Sequence, residues 1–299
     1  MQTAIKNKSN RIAYILIAPT LVMFAWLLVK PLAHVFLLSF QHKILTRPKL
    51  DAFIGLKNFH VMIFEDPVFW KALSNSAKWV VAEVSLQLIF GLAVALFLQK
   101  KFKGCGFARA IAFLPWALSG VLVSMLWSMM YFENVGVIND LLQKIGVIKR
   151  PIAWTGNLNT AFWSIIIAEL WRGIPFFSIM LLASIQSIPH ELYEACKVDG
   201  GNSYQSFRFI TLPSIKDTIV ITTLLRAVWE FNSVDLILNL TGGGPIYETT
   251  TLAVYLANTA RKDGDFGYGS AISVVAFLIL LLFCVVYLRL NDFTKETDL

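Results

Sequence analysis

Long runs of apolar residues alternate with polar connections along the chain. Six runs of 18 to 23 residues cover positions 12–29, 79–98, 110–132, 161–182, 218–240 and 268–288. At about 1.5 Å per residue, some twenty helical residues cross the roughly 30 Å hydrocarbon layer of a bilayer. Backbone groups within lipid must be hydrogen-bonded inside their own segment, which an α-helix achieves. The pattern therefore predicts an all-α membrane protein with about six transmembrane helices.

The composition supports this interpretation and excludes an ordinary soluble protein. Of the 299 residues, 57% are hydrophobic and 15% are charged, against about 25% charged in a typical soluble domain. Three well-separated cysteines and four histidines offer neither a disulfide framework nor metal-ligand spacing, so no metal site is predicted. The net charge of +7 is explained by basic residues kept on the cytoplasmic side of a membrane. Nucleic-acid binding is not indicated, because no long basic run is present.

Basic residues near the ends of the apolar runs predict the orientation of the chain. Four of them lie in the short connection 99–109, namely Lys100, Lys101, Lys103 and Arg109. Short loops dominate the positive-inside rule, so both termini are expected in the cytoplasm, an N-in/C-in arrangement. The predicted divisions are a cytoplasmic N-terminus 1–11, a transmembrane domain 12–290 and a cytoplasmic tail 291–299. The first run is too long for the apolar region of a signal peptide and is interpreted as an uncleaved span.

Charged residues inside the apolar runs require an explanation. They have the i,i+3 or i,i+4 spacing of neighbours on one helix face, and comprise Glu83 with Gln87, Glu169 with Arg172, and Arg226 with Glu230. A charge at the bilayer centre costs roughly 2.5–3.5 kcal/mol, so these side chains must face protein or a water-filled cavity. Two interpretations stay open: the charges lock helices together, or they line a solute path.

The connection 187–216, between the fourth and fifth runs, has a distinct pattern. Pro189 can begin a helix, and Gly200-Gly201 can end it, because glycine readily adopts the left-handed capping conformation. Ser203 is the expected N-cap of a second short helix, and Pro213 starts the chain into the fifth run. The connection is therefore predicted to be a compact helix–glycine–helix hairpin on the cytoplasmic face.

The spacing within this hairpin resembles the signature of the permease subunits of binding-protein-dependent ABC importers. That signature is E-A-A, three residues, G, nine residues and I-x-L-P. The matching positions are Glu194, Ala195, Cys196, Gly200, Ile210, Leu212 and Pro213. Cys196 is a small residue in place of the second alanine. Other stretches, including 112–116 (AFLPW) and 241–245 (TGGGP), are similar to the sugar-type branch, that of the maltose and glycerol-3-phosphate permeases.

The resemblance implies an assembly around this chain. Such a permease pairs with a second, usually non-identical permease, receives a sugar or polyol from an extracytoplasmic solute-binding protein, and contacts two ATPase subunits. Its loop helix docks on an ATPase subunit, where ATP and magnesium are used. This chain lacks GxxxxGK[ST], so it is expected to bind no cofactor and to catalyse no reaction itself. The expected location is the cytoplasmic (inner) membrane of a bacterium or archaeon.

The resemblance also implies a solute site near mid-membrane, on the fourth and fifth runs. Residues at that depth are Glu169, Arg172, Gly173, Phe176, Arg226, Trp229, Glu230 and Ser233. Carboxylates and guanidiniums suit hydroxyl groups through charge-assisted hydrogen bonds, and aromatic rings suit the apolar face of a sugar. These eight residues are the predicted substrate path.

Two other functions compete with this hypothesis. An ion-coupled secondary transporter of a small polar solute would explain the intramembrane charges but not the hairpin signature. A membrane-embedded enzyme would need a catalytic constellation, and the apolar runs contain no Ser/His or multi-His set. Uptake that requires ATP and ignores uncouplers distinguishes the importer from the secondary transporter.

Overall fold

The computed structural model describes residues 14, 16–100 and 102–291, and these are mostly helical. The predicted segment 1–11 and all but the first residue of 291–299 lie outside them. The helices are α1 (Leu16–Leu38), α2 (Lys57–Phe64), α3 (Pro67–Leu98), α4 (Cys105–Phe113), α5 (Gly120–Met130), α6 (Val137–Lys144), α7 (Ala161–Gln186), α8 (His190–Val198), α9 (Ser203–Ser206), α10 (Lys216–Phe231), α11 (Asp235–Leu240), α12 (Leu252–Arg261) and α13 (Phe266–Leu290). Two short antiparallel strands, β1 (Gln41–His42) and β2 (Ala52–Phe53), also form.

Four of the described helices, α1, α3, α7 and α13, are long and apolar enough to cross a membrane. A fifth candidate is the bent pair of α4, extended by a 3-10 turn to Ala117, and α5, whose axes differ by 98°. The prediction of an all-α membrane protein is confirmed. The described residues hold fewer continuous spans than the six apolar runs, because two runs are interrupted.

The interruption in the third run lies at Leu118 and Ser119. Pro115 in the preceding 3-10 turn has no N–H to donate, and Leu118 then adopts an extended conformation with ψ of 140°. Ser119 accepts a hydrogen bond from the Leu122 backbone N–H at 3.3 Å and so caps the start of α5. The apolar run contains its own helix stop and helix start.

The continuous fifth helix predicted over 218–240 is wrong. α10 ends at Phe231, and α11 begins at Asp235. Asn232 donates its side-chain amide to the Val228 carbonyl at 2.8 Å, and such local bonds compete with the helical ladder. Residues 232–234, followed by Asp235 at the start of α11, therefore separate two helices within an otherwise apolar run.

The first of two compact units consists of the described residues up to Asp66 together with Leu256–Leu278. Asn58 on α2 donates to the carbonyls of Ser39 and Gln41 at 2.9 and 3.0 Å, which fixes the chain leaving α1. In the most apolar stretch of α1, 0% of the residues are buried. This helix therefore requires lipid or another apolar surface around it.

The second unit consists of Pro67–Tyr255 and the residues from Ile279 onward. At its centre α3 packs against α7, and α10 packs against both helices. Glycines permit the close approach of α3 and α7. A Cβ on Gly91 would lie 2.5 Å from the Phe177 Cβ, and a Cβ on Gly173 would lie 2.3 Å from the Gln87 amide.

Candidate functional site

Charged and polar side chains meet where α3, α7 and α10 pack together. The members of this charged cluster are Trp79, Glu83, Gln87, Glu169, Arg172, Arg226 and Glu230. All of them except Arg172 are buried. Buried charges require partners. The hydrogen bonds within the cluster therefore indicate whether it holds helices together or is free to bind a solute.

Arg226 on α10 is the centre of the charged cluster. Its Nη2 lies 2.9 Å from Glu169 Oε1 on α7 and 2.6 Å from Glu230 Oε1 on its own helix. Its Nε donates to Gln87 Oε1 on α3 at 2.6 Å. One guanidinium therefore bonds to side chains from three helices.

Arg172 forms a second guanidinium–carboxylate pair with Glu169. Its Nε and Nη2 donate to Glu169 Oε2 and Oε1 at 2.9 and 2.7 Å. The i,i+3 spacing on α7 brings the two side chains together, and the planar fork matches the carboxylate in a bidentate bond. Glu169 is thereby shared between an arginine of its own helix and Arg226 of α10.

Gln87 and Trp79 connect the cluster to α3. Gln87 Nε2 donates to Glu83 Oε2 at 2.9 Å and to Glu230 Oε1 at 3.1 Å, while Trp79 Nε1 donates to Glu230 Oε2 at 3.0 Å. The geometry supports the interpretation of these charges as a lock between helices. The pairs expected from spacing within each helix are present, and the bond between Arg226 and Glu169 adds the interhelical link that spacing alone does not identify.

The structure separates the eight predicted path residues into two groups. The buried group comprises Glu169, Gly173, Phe176, Arg226 and Glu230. The accessible group comprises Arg172, whose side chain is 25% exposed, Trp229, which is 48% exposed, and Ser233. The buried residues contact neighbouring helices, and the residues of the second group are at least partly exposed.

Trp229 packs against Phe176, which in turn lies beside Arg226 of the charged cluster. Its ring centroid lies 5.2 Å from that of Phe176, and the Arg226 guanidinium carbon lies 5.9 Å from the Phe176 ring. Beyond Trp229, Asn232 and Asp235 are exposed at the interruption between α10 and α11. The sequence analysis did not include Asn232 and Asp235 in the path. Three polar side chains among the four residues 232–235, within an apolar run, could have indicated them.

The hairpin between α7 and α10 has the predicted helix–glycine–helix form. Gly200 has φ of +80°, a conformation that residues with a Cβ rarely adopt. Asn202, one residue before the predicted Ser203, is the N-cap of α9. Its Oδ1 accepts the Gln205 N–H at 2.9 Å, and Gln205 Oε1 accepts the Asn202 N–H at 2.7 Å, a reciprocal capping box.

Side-chain contacts make the hairpin compact. Tyr193 Oη and Thr211 Oγ1 lie 2.9 Å apart, and Cys196 Sγ lies 3.4 Å from Ser206 Oγ. The sequence analysis named Gly201 only as part of the helix end, but the position also requires a small residue, since a Cβ there would lie 2.3 Å from Cys196 Sγ. The two glycines thus have different roles: Gly200 supplies the turn and Gly201 the space.

The predicted coupling residues lie on or near the surface of the hairpin. The exposed ones are Glu194, Ala195, Gly200 and Pro213, and the half-buried ones are Cys196, Ile210 and Leu212. The hairpin also exposes large apolar side chains, at 47% for Leu192, 88% for Val198, 72% for Tyr204 and 70% for Phe209. Exposed apolar residues this close together indicate a protein contact surface.

Known proteins resemble this chain over most of its length. Residues 87–294 match the family model of the binding-protein-dependent transport system inner membrane component. The trehalose/maltose transport system permease protein MalF of Thermococcus litoralis is 33% identical over 296 residues, with 99% of each chain covered. The sulfoquinovosyl glycerol transport system permease protein SmoG of Agrobacterium fabrum is 34% identical, with 93% of this chain and 90% of the relative covered.

A solved structure shows the same fold. A chain from the crystal structure of a bacterial ABC transporter involved in the import of the acidic polysaccharide alginate matches with a TM-score of 0.80 at 22% identity, covering 100% of both chains. In this family ATP is hydrolysed by a separate subunit, so the chain is a multi-pass inner membrane subunit and not itself an enzyme. The family match and the hairpin signature agree, and the chain belongs to the binding-protein-dependent inner membrane permeases of ABC transporters.

Proposed function

We propose that this permease forms, with a second and non-identical permease, the path for a carbohydrate or related polyol across the cytoplasmic membrane. The names of the relatives, which specify trehalose/maltose and sulfoquinovosyl glycerol transport, support the solute class. Two ATPase subunits supply the energy, and an extracytoplasmic solute-binding protein delivers the solute. The proposal rests above all on the hairpin, which is compact and joins α7 to α10.

The hairpin couples this permease to an ATPase subunit. Exposed Leu192 and Val198 on α8 supply apolar contact area, and exposed Glu194 can pair with a basic residue of the ATPase. Because α8 begins only four residues after α7 ends at Gln186, movement of the docked hairpin is transmitted to α7 as a rigid-body motion.

The solute path follows the accessible residues of α7 and α10. Trp229 offers an exposed aromatic face, and Arg172 and Ser233 offer hydrogen-bonding groups beside it. The interruption at 232–235 lies next to Trp229 along the chain. Backbone that is not helical at membrane depth is tolerated where it lines a cavity, so this segment belongs to the same path.

Reconstitution of the complete transporter tests the proposal. Sugar uptake into proteoliposomes is expected to require ATP on the side of the membrane that carries the ATPase subunits. It is expected to be unaffected by proton and sodium uncouplers. A Val198→Cys variant with a cysteine-directed crosslinker is expected to capture an ATPase subunit. Uptake that collapses with uncouplers and proceeds without ATPase subunits would instead establish the secondary transporter.

A further inference from the structure

The charged cluster contains three carboxylates but only two guanidiniums. Arg226 pairs with Glu169 and Glu230, and Arg172 pairs with Glu169. Among the described residues, no salt bridge includes the third carboxylate, that of Glu83. If all three carboxylates were ionised, the negative charges would exceed the positive charges by one. The excess charge would then belong to Glu83, because the other two carboxylates have cationic partners.

Glu83 lies at the middle of α3, in the part of a span where an excess charge is most costly. The residue is 0% exposed. Its Oε2 accepts a hydrogen bond from Gln87 Nε2 at 2.9 Å. Its Oε1 is also buried and has no hydrogen-bond partner in the part of the chain that the structure describes. An ionised carboxylate in this position would be far less favourable than a neutral carboxylic acid, because burial penalises charge more than it penalises a polar group.

The helices that pack against α3 do not supply a free cation for Glu83. From α7 and α10, the charged groups that act on it are Glu169, Arg226 and Glu230. Two of these groups are negative, and the positive one is already paired with both of them. α4 also packs against α3, but its Arg109 bonds to the carbonyl of Leu98 at 3.0 Å, at the far end of α3. The nearest cation on α3 itself, Lys78, is exposed.

We propose that Glu83 is a proton-binding site and that it stands in the charged cluster as a neutral carboxylic acid. One bound proton, carried on Oε1, balances the excess carboxylate and makes the cluster neutral as a whole. A metal cation is a poorer occupant, because it requires several oxygen ligands. Among the described residues, no group of three His, Cys, Asp or Glu side chains is arranged to hold one. Glu83 is not one of the eight predicted path residues, so the proposal goes beyond the importer function.

The bound proton makes the stability of the packed helices depend on pH. An exposed glutamate of the unfolded chain is ionised at neutral pH, so the folded protein holds one proton more than the unfolded chain. A protein with this difference loses stability as the pH rises. Between about pH 5 and pH 8, the thermal unfolding midpoint of the purified transporter is therefore expected to fall relative to that of a Glu83→Gln variant, whose amide is neutral throughout.

Glu230→Gln is the matched control, because it makes the same chemical change in the same cluster. It removes a negative partner of Arg226 and is expected to lower the unfolding midpoint at neutral pH. Glu83→Gln is expected to leave the midpoint at neutral pH unchanged, because it replaces one neutral group by another. If Glu83→Gln destabilises or prevents assembly of the transporter as much as Glu230→Gln does, the ionised form of Glu83 is required and the proposal is wrong.

Infrared spectroscopy of the assembled transporter detects the proton directly, because a protonated carboxyl group has a carbonyl stretching band that an ionised carboxylate lacks. At neutral pH, this band is expected in the spectrum of the unsubstituted transporter minus that of Glu83→Gln. It is expected to be absent when the variant is Glu194→Gln, whose original side chain is 68% exposed. Absence of the band from the Glu83→Gln difference spectrum would overturn the proposal and would indicate an ionised Glu83.

Discussion

Arg226 is the cation of the charged cluster that bonds to both α3 and α7. Arg226→Ala would leave Glu169 and Glu230 buried without their shared cation, and breaking a buried ion pair costs about 3–5 kcal/mol. We expect a marked fall in the thermal unfolding temperature of the purified transporter. Arg172→Ala is the comparison, because its side chain is 25% exposed and its bonds stay within α7, so its effect is expected to be smaller. Equal effects of the two substitutions would contradict the central role of Arg226.

Gly173 was predicted as a path residue, but its surroundings give it a packing role. Gly173→Ala would place a Cβ 2.3 Å from the Gln87 amide and displace that amide from its bonds to Glu83, Arg226 and Glu230, so we expect lower thermal stability and weaker solute transport together. Gly106→Ala is the matched control, because a Cβ there meets no atom within 4 Å. A fully stable Gly173→Ala variant would show that this contact is dispensable.

Contacts within one helix could be predicted from the sequence, whereas contacts between helices could not. Helical spacing identifies the Glu169–Arg172 and Arg226–Glu230 pairs, because both partners lie on one helix face. It does not identify the bond from Arg226 to Glu169, since these residues are separated by 57 positions and meet only when α7 and α10 pack. Burial of five of the eight expected path residues follows from the same packing.

Among the elements, the hairpin depends on the small size of residue 201. Gly201→Ala would bring a Cβ against Cys196 Sγ and its carbonyl oxygen, at 2.3 and 2.7 Å, and so separate α8 from α9. We expect ATP hydrolysis to continue while solute uptake falls, which is measured as solute transported per ATP hydrolysed. Cys196→Ala restores the usual residue of the family signature and is expected to retain coupling. Full coupling in Gly201→Ala would contradict the requirement for a compact hairpin.

The interrupted spans were not predicted because the apolar runs continue through them. Hydropathy identifies the extent of an apolar segment but not a local competitor for helical hydrogen bonds. Pro115 and Ser119 in the third run, and Asn232 in the fifth, are such competitors. The hairpin was predicted well because its glycines and prolines act locally, although its cap is Asn202 and not Ser203.

At the scale of the whole molecule, the proposed solute path is expected to be a surface that this permease shares with the proposed second permease. Trp229→Ala removes the exposed ring that Phe176 supports, so we expect weaker uptake at limiting solute with unchanged protein stability. Trp116→Ala, 47% exposed in the turn before α5, is the control and is expected to have a smaller effect. The measurement is initial uptake into proteoliposomes across a range of solute-loaded binding-protein concentrations. Unaltered uptake in Trp229→Ala would remove this residue from the path.

Because Arg226 bonds to side chains of three helices, the order in which these helices are synthesised affects membrane insertion. Arg226 is made 139 residues after Gln87 and 57 residues after Glu169. At synthesis rates of about 5–20 residues per second, the two earlier helices wait roughly 3 to 28 s for their shared cation. During that interval Gln87 lacks this partner and Glu169 has only Arg172, so we expect an insertase or the translocon to keep these polar side chains away from lipid until α10 emerges.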